Sequence, residues 1–367
     1  MRKAILACAL VLCVFGCGDF SGGRAAVTLP GMRACGGRWS AVSVAGPTPR
    51  AWASVTPTPG GAVIYGGSGE RGLVADGWRF DGGWTPLATR SEPRPRMGHA
   101  AAWVGDRLCV WGGAAIGGVV DDGACWVAAE DRWVATSSEG APSPRSNMAV
   151  AATGEGMFVF GGRDDDGEAL GDAAVYDPRR DLWTPVPGRG PRARYNAVAA
   201  SLAGGVLVWG GAGEALALGA EDAALWRRSA WSTVEIDDAP PAREGPGVAV
   251  LSDGVLAWAR GRCSWFDAEA GRWTSLDPAG MPTSRWGATV IVTDGSVIVW
   301  GGRDEAGLRG DGACWDRASR RWSPTPTEGA PSPRSDAVGA YVDGRALVLW
   351  GHGEGGLVLD GFALDLR

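Results

Sequence analysis

A Gly-Gly dipeptide closes a short hydrophobic run at nearly regular intervals along this chain of 367 residues. The intact copies are Gly66-Gly67, Gly112-Gly113, Gly161-Gly162, Gly210-Gly211 and Gly301-Gly302. Two degenerate copies, Ala259-Arg260 and Gly351-His352, complete the series. Successive copies begin 42 to 50 residues apart. A repeat of this length is the signature of an array of small units that stack on one another. No other feature of the sequence constrains the architecture as strongly.

Each repeat contains four landmarks in a constant order. An arginine turn with a small-residue run comes first, and the run that closes in Gly-Gly follows; a short aromatic strand and then a Trp complete the repeat. The turn arginines are Arg50, Arg96, Arg145, Arg194, Arg243, Arg285 and Arg334. Four short apolar runs separated by turns predict a four-stranded antiparallel sheet, and Gly-Gly suits a sharp exit with positive φ. Such sheets must stack to bury both faces, which is typical of propeller blades.

These landmarks resemble the Kelch repeat family over residues 35–367. The resemblance implies an all-β fold, a seven-bladed β-propeller of four-stranded antiparallel Kelch-type blades. The last repeat ends without its Trp, whereas an isolated Trp39 precedes the first turn arginine. We therefore expect the N-terminal strand around Trp39 to pair with the last blade and close the ring, which leaves no free edge there. In the shortened fifth repeat, we expect the loop after the second strand at Gly261-Arg262.

The N-terminus has the pattern of a bacterial export signal. Arg2 and Lys3 precede an apolar stretch from Ala4 to Phe15, which is too short to span a membrane. The stretch continues into Gly-Cys, and the tetrapeptide Val-Phe-Gly-Cys resembles a lipoprotein box with cleavage before Cys17 and lipid on its thiol.

The lipoprotein box predicts a division into three segments. We expect residues 1–16 to be a signal peptide, residues 17–34 a lipid-anchored tether, and residues 35–367 the propeller. The expected location is the cell envelope, in the periplasm or facing the outer membrane. If Cys17 carries no lipid, the protein is secreted.

The charge of the chain bears on its partners. Cleavage of the signal would change the formal net charge from −6 to −8, and no basic run is present. An acidic protein of this kind is a poor candidate for nucleic-acid binding. We expect a monomer that contacts the membrane only through its lipid.

Five cysteines, an odd number, remain after Cys17: Cys35, Cys109, Cys125, Cys263 and Cys314. There is no C-x-x-C pair, so a zinc or thioredoxin-type site is unsupported. Cys109 and Cys125 fall on strands that should be adjacent, which would allow a disulfide. The alternative is that they are buried small apolar side chains.

Kelch propellers similar to this chain mostly bind proteins or peptides through loops at one end of the ring. By position, the turn loops would supply Arg145, Ser146, Asn147, Arg194, Tyr195, Asn196, Arg285, Trp286, Arg334, Ser335 and Asp336. The loops after Gly-Gly would supply Arg163, Asp164, Arg303 and Asp304. Arginine suits carboxylates, and exposed aromatic rings suit stacking. A repeated arginine can instead stabilise its own turn by donating to backbone carbonyls. The neighbouring residues that are not repeated, Tyr195, Trp286 and Asp336, are therefore the better binding candidates.

Known catalytic and metal-binding patterns do not account for this sequence. No G-x-S-x-G, H-E-x-x-H or phosphate loop occurs. The two histidines, His99 and His352, are interpreted as structural. The acidic cluster from Asp164 to Glu168 lacks the ligand spacing of an EF-hand and is interpreted as a solvated loop. We expect no catalytic residue, no metal and no cofactor.

Three functions remain compatible with the sequence. The first is a non-catalytic lipoprotein that binds a protein, peptide or glycan at the bacterial cell envelope. The second is a propeller enzyme that acts on a sugar or sugar acid, of the epimerase or lyase type, although scarce His and Tyr make a general acid or base hard to supply. The third is a structural component of the envelope.

Overall fold

The computed structural model describes residues 36–43, 45–202, 205–213, 222–242 and 247–366. The chain divides into two compact units, Met1–Met32 and Arg33–Arg367, and every described residue belongs to the second unit. The predicted signal peptide, the tether and the lipidation site Cys17 lie outside the described residues, as do Cys35 and Arg243.

The described residues form an all-β structure of strands and turns, in which seven four-stranded antiparallel sheets dominate. We number the sheets one to seven in chain order and give the strands of each sheet in spatial order. The first three sheets contain Ser54–Thr58, Gly61–Tyr65, Gly77–Phe80 and Trp84–Pro86; Ala100–Val104, Arg107–Trp111, Gly123–Val127 and Arg132–Ala135; and Ala149–Ala152, Met157–Phe160, Ala173–Asp177 and Leu182–Pro185. The next three contain Val198–Leu202, Gly205–Trp209, Ala223–Arg227 and Ala230–Val234; Gly247–Leu251, Gly254–Ala259, Arg262–Asp267 and Arg272–Leu276; and Thr289–Val292, Ser296–Trp300, Gly312–Asp316 and Arg321–Pro324. The seventh contains Val338–Val342, Arg345–Leu349, Gly361–Asp365 and Trp39–Val42.

Short strands of two residues lie in the turns at one end of the sheets. They are Arg50–Ala51, Ser68–Gly69 and Gly72–Leu73; Arg96–Met97, Ala114–Ala115 and Gly118–Val119; Arg303–Asp304 and Gly307–Leu308; and His352–Gly353 and Gly356–Leu357. No helix with the length and apolar character needed to cross a membrane occurs in the described ranges.

The second strand of each sheet is buried on both faces. In the first sheet Val63, Ile64 and Tyr65 are fully buried although successive side chains of a strand point in opposite directions. Each sheet therefore sits between two neighbours and shares an apolar core with each of them. The seventh sheet packs on the first in the same way, since Leu347 and Ile64 belong to one core. The continuous apolar runs in the sequence reflect this two-sided burial.

The seventh sheet takes its outer strand from the other end of the chain. Trp39–Val42 pairs antiparallel with Gly361–Asp365, with Trp39 opposite Leu364. The indole of Trp39 is buried, and its Nε1 donates to the Pro326 carbonyl at 2.8 Å.

The Gly-Gly dipeptides adopt positive φ at both residues and link neighbouring repeats. The Gly67 N–H donates to the Arg96 carbonyl at 2.9 Å, and the Gly113 N–H donates to the Arg145 carbonyl at 2.8 Å. A Cβ on the first glycine of the third copy, Gly161, would lie 2.3 Å from a backbone oxygen of the next repeat. Glycine at this position therefore accommodates both the positive φ and the close approach of the backbone of the next repeat.

The last repeat places a tryptophan where the other repeats have the first glycine. Trp350 has φ 54° and Gly351 has φ 102°, so these two residues take the dipeptide conformation. The Nη1 of Arg334 donates to the Trp350 carbonyl at 3.2 Å, 16 residues further along the chain. In five other repeats, the turn arginine makes the same bond to the first glycine of the dipeptide, which is also 16 residues away. The sequence alignment of Gly351-His352 with the dipeptide is therefore wrong by one residue.

In the fifth repeat, the turn after the second strand lies one residue earlier than the sequence predicts. Its second strand runs through Ala259, and Arg260 and Gly261 form the tight turn with φ 45° and 75°. Arg262 already begins the third strand, so the turn is Arg260-Gly261 and not Gly261-Arg262.

Two adjacent strands of the second sheet are cross-linked. Cys109 and Cys125 are direct partners across the ladder and form a disulfide. Cys314 is also disulfide-bonded, whereas Cys263 is a buried thiol that accepts a hydrogen bond from Trp322 Nε1. Burial raises the pKa of the Cys263 thiol to about 11, so it stays protonated at neutral pH.

Glu92, in the connection between the first and second sheets, should make stability depend on pH. Its Oε2 is buried without a hydrogen-bond partner among the described residues, and burial together with Asp76 raises its pKa from 4.5 to about 7. The folded state therefore binds this proton more tightly than the unfolded state. The stability that results is present below pH 4.5 and is lost as the pH rises through about 7.

We expect Glu92→Gln to change that pH dependence. The amide stays neutral, so the variant should match the wild type in Tm near pH 4.5 and exceed it increasingly up to about pH 8. Thermal unfolding of both proteins across this range measures the difference. A Tm difference that is constant with pH would contradict the assignment.

Candidate functional site

The turn arginines are buried and make their hydrogen bonds within the chain. The Arg145 Nε donates to the Ser143 carbonyl at 2.9 Å, and Nη1 donates to the Gly161 carbonyl at 3.0 Å. Nη1 and Nη2 also bind the two carboxylate oxygens of Asp172 at 2.8 and 2.9 Å. The same arrangement of turn arginine and Asp recurs in six repeats. The pairs are Arg50 with Asp76, Arg96 with Asp122, Arg145 with Asp172, Arg194 with Asp222, Arg285 with Asp311 and Arg334 with Asp360.

These contacts assign a structural task to four of the predicted binding residues, Arg145, Arg194, Arg285 and Arg334. All four are buried, and their guanidinium groups hold the turn, the end of the second strand and the start of the third strand together. A bound ligand would have to displace these contacts to reach them. We therefore leave them out of the surface proposed below.

The aspartate partners were missed by the sequence reasoning. Each directly precedes a third strand, 26 to 28 residues after its arginine, and that recurrence is the signal that could have revealed them. Burial alone would raise the pKa of Asp122, but the hydrogen bond and charge of Arg96 outweigh it, so the pKa lies below its usual range. Arg50 and Arg194 lower the pKa of Asp76 and Asp222 in the same way, and the pKa of Asp311 is lowered first by Arg309 and then by Arg285.

The second residue after each turn arginine has positive φ in six repeats. We call this set the turn row: Trp52, Gly98, Asn147, Asn196, Gly287 and Asp336. Neighbouring members are joined by backbone hydrogen bonds of 2.8 Å, from Asn147 to Gly98, from Asn196 to Asn147 and from Asp336 to Gly287. The turn row therefore brings residues from several repeats together on a rigid backbone.

The residue before each turn-row position pairs with the loop that follows Gly-Gly. The observed bridges join Ser146 with Arg163, Tyr195 with Ala212, Trp286 with Arg303, and Ser335 with His352. The two sets of loops predicted from the sequence are thus adjacent within each repeat. The predicted residues Ser146 and Ser335 are buried, whereas Trp286 and Arg303 are exposed on the surface beside the turn row.

One part of this surface combines an aromatic ring, a cation and two amides. The Arg163 guanidinium lies over the Tyr195 ring, 5.6 Å from its centroid. The Asn147 Nδ2 donates to the Asn196 Oδ1 at 2.8 Å. These four predicted residues are therefore brought together by the third and fourth repeats.

A second part presents indole rings. Trp286 is 40% exposed beside the exposed Arg303. Trp52 is 44% exposed, and its ring centroid lies 5.0 Å from that of His352. The sequence reasoning missed Trp52, although its place two residues after Arg50 matches Asn147, Asn196 and Asp336.

Asp336 and its neighbours form a polar cluster next to Trp52. Its Oδ2 accepts a hydrogen bond from the Ser335 hydroxyl at 2.8 Å and lies 3.9 Å from His352 Nδ1. The remaining histidine, His99, lies against Tyr65, and its Nε2 is 2.9 Å from the Ser54 hydroxyl. Burial and the charge of Arg96 lower the pKa of His99 to about 3, which keeps the ring neutral.

The predicted acidic loop residues stabilise their own loops. Asp164 accepts backbone hydrogen bonds from Asp166 and Glu168 at 3.0 and 2.9 Å. Asp304 accepts from the Thr283 hydroxyl at 3.1 Å and lies 3.6 Å from Arg309. Within the described ranges, no group of three His, Cys, Asp or Glu side chains is arranged to hold a metal ion.

Comparison with known proteins gives one family match. The model described as the KLHDC2/KLHL20/DRC7 Kelch-repeats domain matches residues 4–187 and 98–264, which together span well over half of the chain. No curated protein matches this chain.

Proposed function

Because this chain belongs to the Kelch-repeat family, we propose that it is a non-catalytic binding module for a protein, peptide or glycan. The observation that carries the proposal is the exposure of Trp52, a member of the turn row, and of Trp286, which directly precedes its member Gly287. Aromatic side chains contribute most to binding when a rigid scaffold presents them, because little conformational entropy is lost. Propellers of this family mostly bind partners, which supports a non-catalytic role.

The arrangement of the sheets supports a closed, seven-bladed propeller, which we propose to be a monomer. Successive sheets share apolar cores, and the seventh packs on the first. The pairing of Trp39–Val42 with Gly361–Asp365 supports closure by the N-terminal strand. In such a ring the turn row surrounds one end of the central axis, so that residues from different blades can contact one ligand.

The chemistry of the turn row favours a partner with both apolar and polar groups. Trp52 and Trp286 offer flat apolar surface, while Arg163, Arg303 and Asp336 offer charges of both signs beside them. Mixed surfaces of this kind are typical of non-obligate interfaces. We propose the partner to be a component of the bacterial cell envelope, reached by a lipid on Cys17.

We expect the double variant Trp52→Ala/Trp286→Ala to lose binding. Removal of two exposed indoles should weaken partner capture at least tenfold, since each such anchor contributes on the order of 1–2 kcal/mol. Immobilised protein is exposed to solubilised envelope material, and the captured components are quantified against the wild type.

Leu182→Ala provides a control with matched exposure. Leu182 is 42% exposed on the outer strand of the third sheet, away from the turn row, and its removal should leave capture unchanged. Identical capture by the wild type and the double tryptophan variant would refute the proposal for this surface.

We expect Cys17→Ser to remove the lipid anchor. The hydroxyl cannot replace the thiol as the site of lipid attachment, so labelling with a radioactive fatty acid should disappear and the protein should move from the membrane fraction to the soluble fraction. Equal labelling of the variant and the wild type would show that the anchor is elsewhere or absent.

A further inference from the structure

A cleft of 690 Å³ opens between the third and fourth sheets. It is lined by Arg189 and Arg192 of the connection between these sheets, by the indole of Trp231, and by the carboxylates of Asp172 and Asp222. None of these residues belongs to the turn row, so the cleft can be tested separately from it. Its volume falls in the range of small-molecule sites, about 300–1,000 Å³.

The cleft exists because one connection is short. In three repeats of the described chain, the connection from the fourth strand accepts a hydrogen bond from the tryptophan of the next fourth strand, as Pro326 does from Trp39. Trp133 Nε1 donates to the Ala88 carbonyl at 2.8 Å, and Trp183 Nε1 donates to the Ser137 carbonyl at 3.0 Å. Trp231 makes no such bond in the described part of the chain and is only half-buried.

Connection length separates the buried fourth-strand tryptophans from the two that are partly exposed, Trp84 and Trp231. The span from Trp183 to Arg194, which passes over Trp231, is 11 residues, as is the span from Trp39 to Arg50, which passes over Trp84. The other spans from a fourth-strand tryptophan to the next turn arginine are 12 residues. The tryptophans under the longer spans are buried, and they are Trp39, Trp133, Trp183, Trp273 and Trp322.

Both short connections leave a cleft, but the two clefts differ in chemistry. The cleft beside Trp84 measures 410 Å³ and is lined mainly by apolar groups such as Phe80 and Leu347, with Arg345 as its single charged lining residue. The cleft beside Trp231 carries two arginines and two aspartates. Only the latter offers several polar contacts to a small ligand.

The polar groups of this cleft retain capacity for further hydrogen bonds. Arg189 and Arg192 are exposed, and neither side chain takes part in an ion pair among the described residues. The Asp172 side chain is 56% exposed although it binds Arg145. Asp222 Oδ2 accepts the Arg192 backbone N–H at 3.3 Å, and the Asp222 side chain remains 32% exposed. Each carboxylate oxygen can accept a second hydrogen bond.

We propose that this cleft binds a sugar acid, a pyranose that carries a carboxylate. The apolar C–H face of the ring would pack on the Trp231 indole. The carboxylate would accept charge-assisted hydrogen bonds from Arg189 and Arg192, and the hydroxyls would donate to Asp172 and Asp222. An acidic peptide would bring carboxylates against the two aspartates without hydroxyls to satisfy them, and a neutral sugar would leave the arginines unused.

Isothermal titration calorimetry of the folded, mature protein with galacturonate tests this proposal. We expect saturable binding of galacturonate, and at least tenfold weaker binding of galactose, which has the same hydroxyl pattern and no carboxylate. Arg189→Gln/Arg192→Gln should weaken galacturonate binding at least tenfold. Trigalacturonate is titrated in parallel, because a preference for it of more than tenfold identifies a polysaccharide as the source of the ligand, and equal affinity identifies the free sugar acid.

The turn-row variant Trp52→Ala/Trp286→Ala serves as the matched control and should bind galacturonate like the wild type. Loss of partner capture in that variant with retained galacturonate binding would keep the two sites distinct. The proposal is overturned by equal affinity for galactose and galacturonate, by an unchanged affinity of the arginine double variant, or by absence of binding of both acids up to ~10 mM. Circular dichroism of each variant verifies that the fold is retained.

Discussion

Replacement of Arg96 by methionine is expected to lower the free energy of unfolding by about 3 kcal/mol, because it removes a buried guanidinium that donates to backbone carbonyls and to a partly exposed carboxylate. The Arg96 side chain is fully buried. Its Nη1 donates to the Gly112 and Asp122 carbonyls at 2.8 and 2.9 Å, and Nη2 binds the Asp122 carboxylate at 2.6 Å. Methionine fills the volume but removes the donor to the Gly112 carbonyl, whereas Asp122 keeps the Gly112 N–H and Arg94 as partners. Equilibrium unfolding in urea measures the loss.

Arg94 offers a control on the same carboxylate. It also pairs with Asp122, but its side chain is 56% exposed, so water can replace it. Arg94→Met should therefore cost less than about 1 kcal/mol. If both variants lost the same stability, charge at Asp122 and not burial would explain the effect, and the structural task assigned to the turn arginines would be wrong.

Removal of the cross-link between Cys109 and Cys125 is expected to lower the free energy of unfolding by about 3 kcal/mol. The cysteines are separated by 16 residues, and the disulfide restricts the unfolded chain by closing that loop. The double variant Cys109→Ala/Cys125→Ala in urea unfolding tests this expectation. Mutation is preferable to a reducing agent, because a reductant would also act on the disulfide of Cys314.

Cys263→Ala separates the cross-link from packing. Cys263 is buried in the fifth sheet as a thiol, so its replacement removes a sulfur from a core without opening a loop. We expect a loss of about 1 kcal/mol. A loss as small for the double variant would show that the disulfide contributes little beyond packing.

The repeat pattern was sufficient to predict the strands because local chemistry determines them. Two-sided burial requires continuous apolar runs such as Val63 to Tyr65, and positive φ at a crowded turn requires glycine. The fourth-strand tryptophans were predictable because they recur at a fixed place in each repeat. The strands and the dipeptide turns depend on residues close together in sequence.

The arginine–aspartate pairs were harder to predict because each joins residues 26 to 28 positions apart. A sequence does not distinguish an arginine that is exposed for binding from one that is buried and holds its turn together. The burial of Arg145 and its pairing with Asp172 in the structure make the distinction. The misplaced dipeptide has a similar cause. Trp350 does not look like a glycine, yet it has φ 54° and its carbonyl accepts a hydrogen bond from Arg334, as the first glycine does in other repeats.

The candidate surfaces were only partly predictable. The turn-row residues could be placed by position, yet the exposure of Trp52 depends on the seventh repeat, where His352 lies against it. The cleft beside Trp231 results from the absence of one residue in a connection. A change of one residue in loop length is invisible to residue-type patterns, although it decides whether an indole is covered.

The outer strand of the seventh sheet has a consequence for biosynthesis. Trp39–Val42 leaves the ribosome long before its partner strand Gly361–Asp365, with more than 300 residues between them. A nascent chain that lacks Gly361–Asp365 cannot complete this sheet, so the final pairing must wait until these residues have been synthesised, and it closes a loop of high entropic cost. We therefore expect the slowest folding phase to be the docking of Trp39–Val42, which makes this strand the natural place for a chaperone to hold the chain open.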